Sequence, residues 1–480
     1  MIKMYDDIMA LVKKHDVKMF DFKEIDLEGR WHHLSIPVER FSRELLEKGI
    51  GFDGSSYGFL TVEKSDMVFI PDLSSAFVDP MIEEPTISMI GDIYKIDGEY
   101  VRFEGDPRYV AEKAEKFLKD TKISDNCLFG PEFEFYVLDN VEYRNEMNHI
   151  EVHLDSAQAG WNAIDSPYDD LYRNKGYKVM GHKGYHADQP QDVSYNLRNI
   201  MVRALEDNGV PVKYHHAENG GPGQVEIELS FATLREMADR TQKLKYFVKN
   251  IAVKNGKTVT FMPKPFYGEA GNGMHVHLQM FNEGRPIFYD EKGYSNLSPT
   301  ALYAISGILE HAAALTAFTC PSTNSYKRLV PGYEAPVTIC FATANRSAVI
   351  RIPGYAIRPE DKRFEFRPAD ATSNPYLCYS AIVMAAIDGI QKKSDPTKRG
   401  FGPYDKNMYF LTEEEKKVVK GLPKSLEEAA DALEKDYEFL LNGGVFSKGL
   451  IDDQLKKNRK DAEEVAIVPH PLEFKKYYDL

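Results

Sequence analysis

The chain has 480 residues, 43% hydrophobic and 28% charged, the balance of a soluble globular protein with a large core and more than one domain. A formal net charge of −14 argues against a nucleic-acid partner, because duplex binding relies on a basic face that releases counterions, so local positive clusters read as sites for small anions. Cys127, Cys320, Cys340 and Cys378 are scattered without a C-x-x-C pair, which indicates neither a disulfide framework nor a thiolate zinc site and leads us to expect a reducing cytoplasm.

Met1 to Lys14 reads as an amphipathic run, and its Asp6, Asp7 and lysines leave no apolar stretch for a signal peptide. Strands are expected at Lys18 to Ile25 and Trp31 to Ile36 around a turn at Glu28 and Gly29. A helix should follow from Val38 to Gly49, punctuated by Pro37 and Gly49. After the loop Gly51 to Ser56 (GFDGSS), strands at Met67 to Ile70 and Thr86 to Ile96 complete a small mixed domain, with a break near Gly98 to Pro107.

Beyond the break, helices are expected at Tyr109 to Leu118, Val193 to Asn208, Leu234 to Asn255 and Pro299 to Phe318, with a strand at Cys127 to Leu138. The apolar run Ala301 to Phe318 is interrupted by Ser306, Glu310 and His311 and fails as a membrane span. Strands and helices interleave without a βαβ period or G-x-G-x-x-G, which predicts an α+β fold. From Thr412 the tail reads as helical, with capping boxes at Thr412 to Glu415 and Ser425 to Glu428.

Glu132 and Glu134 in GPEFEF share one strand face by the period of two, with Phe133 and Phe135 on the other. Glu218 and Glu226 bracket ENGGPGQVE, whose glycines allow a tight return. His275 and His277 in GNGMHVH aim to one side but have no third histidine at zinc spacing. Taken singly, the two carboxylate pairs read more readily as a solvated strand face and a solvated turn tip, and the histidines as side chains satisfied by hydrogen bonds rather than by a metal. Arg328, Arg346, Arg351, Arg363 and Arg367 are more telling, because Arg in apolar contexts such as AVIRIP and RFEFRP needs an anionic partner, either neighbouring Glu and Asp or a bound carboxylate or phosphate. Carboxylates beside clustered Arg point to Mg²⁺ or Mn²⁺ with phosphates.

The motifs DGSS, GPEFEF, HHAE…GQVE, FMPKP, GNGMHVH, NSYKRLVPGYEAP, NRSAVIRIP, RFEFRPAD and NPYL stand in family order, and the chain resembles a type I glutamine synthetase over essentially its whole length. The resemblance implies an N-terminal β-grasp domain over 1–103 and a catalytic domain over 104–480 with a helical tail. It also implies a cytoplasmic dodecamer of two hexameric rings with active sites shared between subunits. The implied reaction joins ammonia to L-glutamate at the expense of ATP through a γ-glutamyl phosphate. Two or more divalent ions are implied, one held by Glu134, Glu218 and Glu226, the other by Glu132, His275 and Glu365.

By the same resemblance Asp53 takes a proton from ammonium across a subunit boundary, and Glu334 closes over the site from a flap hinged at Pro331 and Gly332. Arg351 and Arg367 stabilise the transferring phosphoryl group. Gly271, Arg328, Glu334, Arg346 and Arg367 line the glutamate site, and Phe231, His277, Arg351 and Arg363 the nucleotide side. Tyr409 resembles the adenylylated tyrosine of some members, and Val152 to Lys178 their insertion. Ala270, Gln279, Lys213 and Glu360 depart from the family pattern. A same-fold alternative is a γ-glutamyl ligase for a larger amine, for which Ala270 leaves room.

Overall fold

The structure is a computed structural model that describes residues 4–162, 176–331, 335–405 and 419–478. Its N-terminal part is a sheet of β1 (Met19–Ile25), β2 (Trp31–Pro37), β3 (Ile50–Asp53), β4 (Asp66–Pro71), β5 (Phe77–Val78), β6 (Thr86–Asp97) and β7 (Glu99–Arg102). The strand order is β2-β1-β6-β4-β3, with β5 and β7 also on β6, and β1 runs parallel to β6. Helix α1 (Tyr5–His15) carries Asp6 and Asp7 in its first turn and Lys13, Lys14 and His15 in its last, matching its dipole. It buries Ile8 against a cluster that includes Phe20, Phe22, Phe41 and Phe69.

The helix expected from Val38 to Gly49 is two pieces, a 3₁₀ turn over Val38–Arg40 and α2 (Arg43–Lys48). Phe41 turns inward to stack on Phe20 with ring centroids 4.0 Å apart, and Ser42 restarts the helix by accepting from the Leu45 N–H at 3.2 Å. Gly49 ends α2 at φ 65, where a Cβ would meet Val68 at 2.3 Å. Within GFDGSS, Gly51 to Asp53 belong to β3 and Gly54–Tyr57 form a 3₁₀ turn.

The expected break is structured. Gly98 is the tip of the β6–β7 hairpin, and helix α3 (Pro107–Asp120) begins at once with Asp106 as its cap. The buried Arg108 guanidinium reaches Asp72 at 2.6 Å, Asp92 at 2.7 Å and Asp239 at 3.1 Å, so one cation ties the small sheet to the larger part of the chain.

That larger part is built on β8 (Asn126–Leu138), β9 (Asn140–Glu146), β10 (His149–Asp155), β11 (Val212–Ala217), β12 (Gln224–Leu229), β13 (Ala232–Thr233), β14 (Thr258–Thr260), β15 (Met274–Asn282), β16 (Arg285–Pro286), β17 (Thr338–Thr343), β18 (Ala348–Ile352) and β19 (Phe364–Phe366). The main sheet runs β11-β12-β8-β15-β19-β18-β17, while β9 and β10 form a separate hairpin. The helices are α4 (Tyr195–Asp207), α5 (Leu234–Lys254), α6 (Pro299–Glu310), α7 (Ala312–Thr319), α8 (Ser325–Arg328) and α9 (Pro375–Lys392). The largest apolar cluster unites the inward residues of β8, β12 and β15 with α3, α5, α6, α7 and α9.

The single helix expected from Pro299 to Phe318 is α6 and α7, bent by 74°. His311 fills the corner, with Nδ1 at 2.8 Å from Asp436 and Nε2 at 3.0 Å from Asp388. The C-terminal helices include Leu426–Lys435, where Ser425 accepts from the Glu428 N–H and the Glu428 carboxylate accepts from the Lys424 N–H. The other capping box, Thr412 to Glu415, lies outside the described residues, as does part of the Val152 to Lys178 segment. No single helix among the described residues is long and apolar enough to cross a membrane.

Candidate active site

Five neighbouring strands deliver polar side chains to one face in a continuous row. On β8, Phe133 and Phe135 enter the core, which turns Glu132 and Glu134 to the other side. Register then aligns Glu226 with Glu134, Glu228 with Glu132, His275 with Glu132, His277 with Glu365, and Glu365 with Arg351. Alternate residues Val225, Ile227, Met274, Val276, Phe364 and Phe366 are all buried.

Three groups in and beside this row hold ligand atoms within 4.8 Å of one another: Glu132 with His275 and Glu365, Glu132 with Glu228 and His277, and, reaching onto and just past β11, His216 with Glu218 and Glu226. The first is the trio expected for one ion. For the other, the structure joins Glu218 and Glu226 to His216, while Glu134 accepts from the Gly273 N–H at 2.5 Å and faces His275 Nδ1 at 3.9 Å. His216 and Glu228 were not among the expected site residues. The doubled histidine of HHAE and the alternation of V-E-I-E are the signals that could have exposed them.

The electrostatics are divided. Burial, then Glu134 and Glu226, push Glu218 up to about 8, and burial with Glu132, Glu134 and Glu228 raises Glu226 well above the usual range. Burial also works to raise Glu132, but His277 and His275 outweigh it and hold it low. For Glu365 burial is overcome chiefly by Arg367, with Arg351 adding to it, and the carboxyl falls to about 2. Arg351 bonds one Glu365 oxygen at 2.5 Å and Arg367 bonds the other.

The sequence from residue 104 to 477 matches the glutamine synthetase catalytic-domain family, and residues 16–96 match the glutamine synthetase β-grasp domain. The chain belongs to the glutamine synthetase family. It is 44% identical over 477 residues to a glutamine synthetase of Aquifex aeolicus, covering 99% of both chains, and 45% identical over 480 residues to one of Streptomyces coelicolor, again at 99% of each. Among solved structures it resembles the glutamine synthetase of Plasmodium falciparum, with a TM-score of 0.88, 28% identity and 99% coverage of each chain. It also resembles a chain titled GmaS/ADP complex, with a TM-score of 0.80 and 26% identity over 99% of this chain and 100% of that one. The α+β fold with an N-terminal β-grasp domain is thereby that of the family.

Other positions singled out from the glutamine synthetase motifs fall around the row. Buried Arg328 donates to the carbonyls of Pro368 at 2.7 Å and Arg367 at 3.1 Å, and added Cβ atoms at Gly271 or Gly273 would meet its side chain at 2.8 and 2.5 Å. Arg346 is exposed, and its carbonyl accepts from Arg367 Nε. His277, expected on the nucleotide side, is fully buried with Nε2 at 2.8 Å from Glu132. Arg363 lies 5.8 Å over the Phe231 ring, whose other neighbours are His277 and Gly130. Asp53 ends β3 at the edge of the small sheet, accepting from Ser55 and Ser56, with no bond to the acidic row of its own chain among the described residues. Glu334 and Tyr409 lie outside the described residues.

The departures form local compensations. Lys213 neutralises the fully buried Glu228 at 2.7 Å, Gln279 donates to the Glu360 carbonyl at 3.2 Å, and the Ala270 carbonyl accepts from Tyr136. The donor set fits divalent cations. Buried carboxylates with imidazoles are oxygen-rich, and their mutual repulsion calls for positive charge. His277 Nδ1, Arg351 Nε and Arg363 Nε are also buried without a partner among the described residues.

Proposed function

We propose that the chain is an ATP-dependent glutamate-ammonia ligase that makes L-glutamine through a γ-glutamyl phosphate, and so serves nitrogen assimilation. The observation that carries this reading is the row in which Glu132, His275 and Glu365 converge while Arg351 and Arg367 flank Glu365. Glu132, His275 and Glu365 would hold one Mg²⁺ or Mn²⁺, and Glu218 and Glu226, with Glu134 or His216, a second. Bound there, such ions supply positive charge for phosphoryl oxygens. Arg351 and Arg367 direct their remaining donors at the transferring group, and the partnerless nitrogens of Arg363 and His277 favour phosphate on the same side. The similar GmaS chain in complex with ADP supports a nucleotide.

Glutamate would bind against Gly271, Arg328, Arg346 and Arg367, with Phe231 walling the nucleotide side. Asp53, held to about 2 by its serine hydrogen bonds, is a permanent anion suited to ammonium. Among the described residues Asp53 makes no bond to the row of its own chain, which favours an active site completed by a second copy, and the dodecamer is proposed from the family resemblance. Glu334 is proposed as the closing carboxylate and Tyr409 as a modification site. We take 103/104 as the domain boundary and the cytoplasm as the compartment.

Purified enzyme with Mg²⁺ or Mn²⁺, ATP and glutamate should release phosphate faster when ammonium is added. No ammonium-dependent increase would reject the proposal. A panel of larger amines in the same assay separates the γ-glutamyl ligase alternative, which requires a larger amine to outperform ammonium.

A further inference from the structure

We propose that a cavity between the turn Glu28–Trp31 and helix α5, apart from the acidic row, binds a small multivalent oxyanion. The cavity has a volume of about 720 Å³, and none of the row's carboxylates or histidines lines it. Its charged lining is Arg30, Lys245, Lys249 and Lys457 against Glu28 and Asp461, four cations to two anions in a chain whose net charge is −14.

Both of those anions are already engaged. Glu28 pairs with Arg30 at 2.8 Å at the exposed rim, and Asp461 pairs with Lys457 at 2.7 Å. That leaves Lys245 and Lys249 as the excess charge. Lys245 gives one hydrogen bond to the Ala371 carbonyl at 2.8 Å and has no carboxylate in ion-pair range; Lys249 has neither a hydrogen bond nor an ion pair among the described residues.

The cations of the cavity act on one another. Burial and then Lys249 bring the Lys245 amine down to about 8, although Asp370 and Asp26 pull the other way, and burial followed by Arg30 lowers Lys249. An oxyanion among them removes this repulsion and takes up the two N–H donors that Lys245 leaves unused. The walls suit a ligand with an organic part as well as a bare ion. Trp31, Tyr246, Phe261 and Met262 line the same space, and the indole N–H of Trp31 is buried without a partner.

The chain has two tryptophans, so Trp161→Phe leaves Trp31, inside the cavity, as the only indole reporter. The Mg²⁺-loaded Trp161→Phe enzyme is titrated with inorganic phosphate, succinate and chloride at equal ionic strength while emission is followed. Phosphate or succinate should give a saturable change that chloride does not, and the arm that saturates at lower concentration identifies a phosphate or a carboxylate ligand. Lys249→Glu should weaken that arm at least tenfold, and Lys245→Met should do the same. Identical curves for chloride, no saturation with either oxyanion, or a curve unchanged by Lys249→Glu would each overturn the proposal. The readout involves no catalysis, so it stands or falls separately from the ligase assay.

Discussion

Glu365 is fully buried between two guanidinium groups. Glu365→Gln keeps the shape and removes the charge, leaving Arg351 and Arg367 facing each other without a counter-ion. Removing one member of a buried ion cluster costs about 3–5 kcal/mol, so thermal unfolding should register a loss of that size alongside near-complete loss of glutamine formation. Asp53 behaves differently because it is exposed and its carboxyl is held to about 2. With a depressed folded value, its charge is lost only as pH falls through about 2. The KM for ammonium should therefore show no inflection from Asp53 between about pH 5 and pH 8, while Asp53→Asn raises KM throughout that window. A wild-type inflection in that window that disappears in the variant would contradict this assignment. At this scale the alternation of E-F-E and H-V-H revealed which side chains share a face. The partner across the strand is not legible in one strand's sequence, which is why the placing of His216, Glu228 and the Glu132–His277 pair emerges only from the register.

Helices α6 and α9 meet backbone to backbone. A Cβ at Gly307 would lie 2.1 Å from the Ala385 carbonyl, and one at Gly389 would lie 2.2 Å from that of Tyr303. Gly307→Ala must force the helices apart and should destabilise by about 1–3 kcal/mol, measured as a lowered Tm. The bend at His311 yields a pH test. Burial alone would lower its pKa, but hydrogen bonds that it donates to Asp388 and Asp436 raise it on balance. A raised folded value means that the stabilisation is complete below the unfolded pKa of about 6.5 and disappears as pH rises through the folded one. The Tm difference between wild type and His311→Gln should accordingly be larger at pH 6 than at pH 9, and an equal gap would refute the charged corner. Neither feature was legible locally. In the segment Pro299 to Phe318 the polar residues Ser306, Glu310 and His311 do not themselves break a helix, so the pattern holds no sign of a bend at which His311 pairs with Asp436, 125 residues away. The split at Phe41 has the same origin, a distant aromatic neighbour overriding a favourable helical pattern.

At the scale of the whole molecule, composition and motif order were enough to predict an α+β enzyme of this family. The stretch Gly98 to Pro107, expected as the domain boundary, is a hairpin tip followed directly by a capped helix. The link across this boundary was not legible in composition, since Arg108 is a cation shared by Asp72, Asp92 and Asp239 from both parts. Separating the parts would strand a buried charge, and so the two are expected to lose structure together.

The row of ligands across β12, β8, β15, β19 and β18 also bears on how the chain reaches its native state. His275 and Glu132 are 143 residues apart, and Glu365 arrives later still, so the acidic row exists only once the central sheet has closed in register. Divalent cations therefore meet a nearly finished molecule and act on its escape rather than its formation. Stopped-flow experiments with and without Mn²⁺ should find refolding rates alike and unfolding markedly slower with the ion. Faster refolding with the ion would mean that part of the row assembles early.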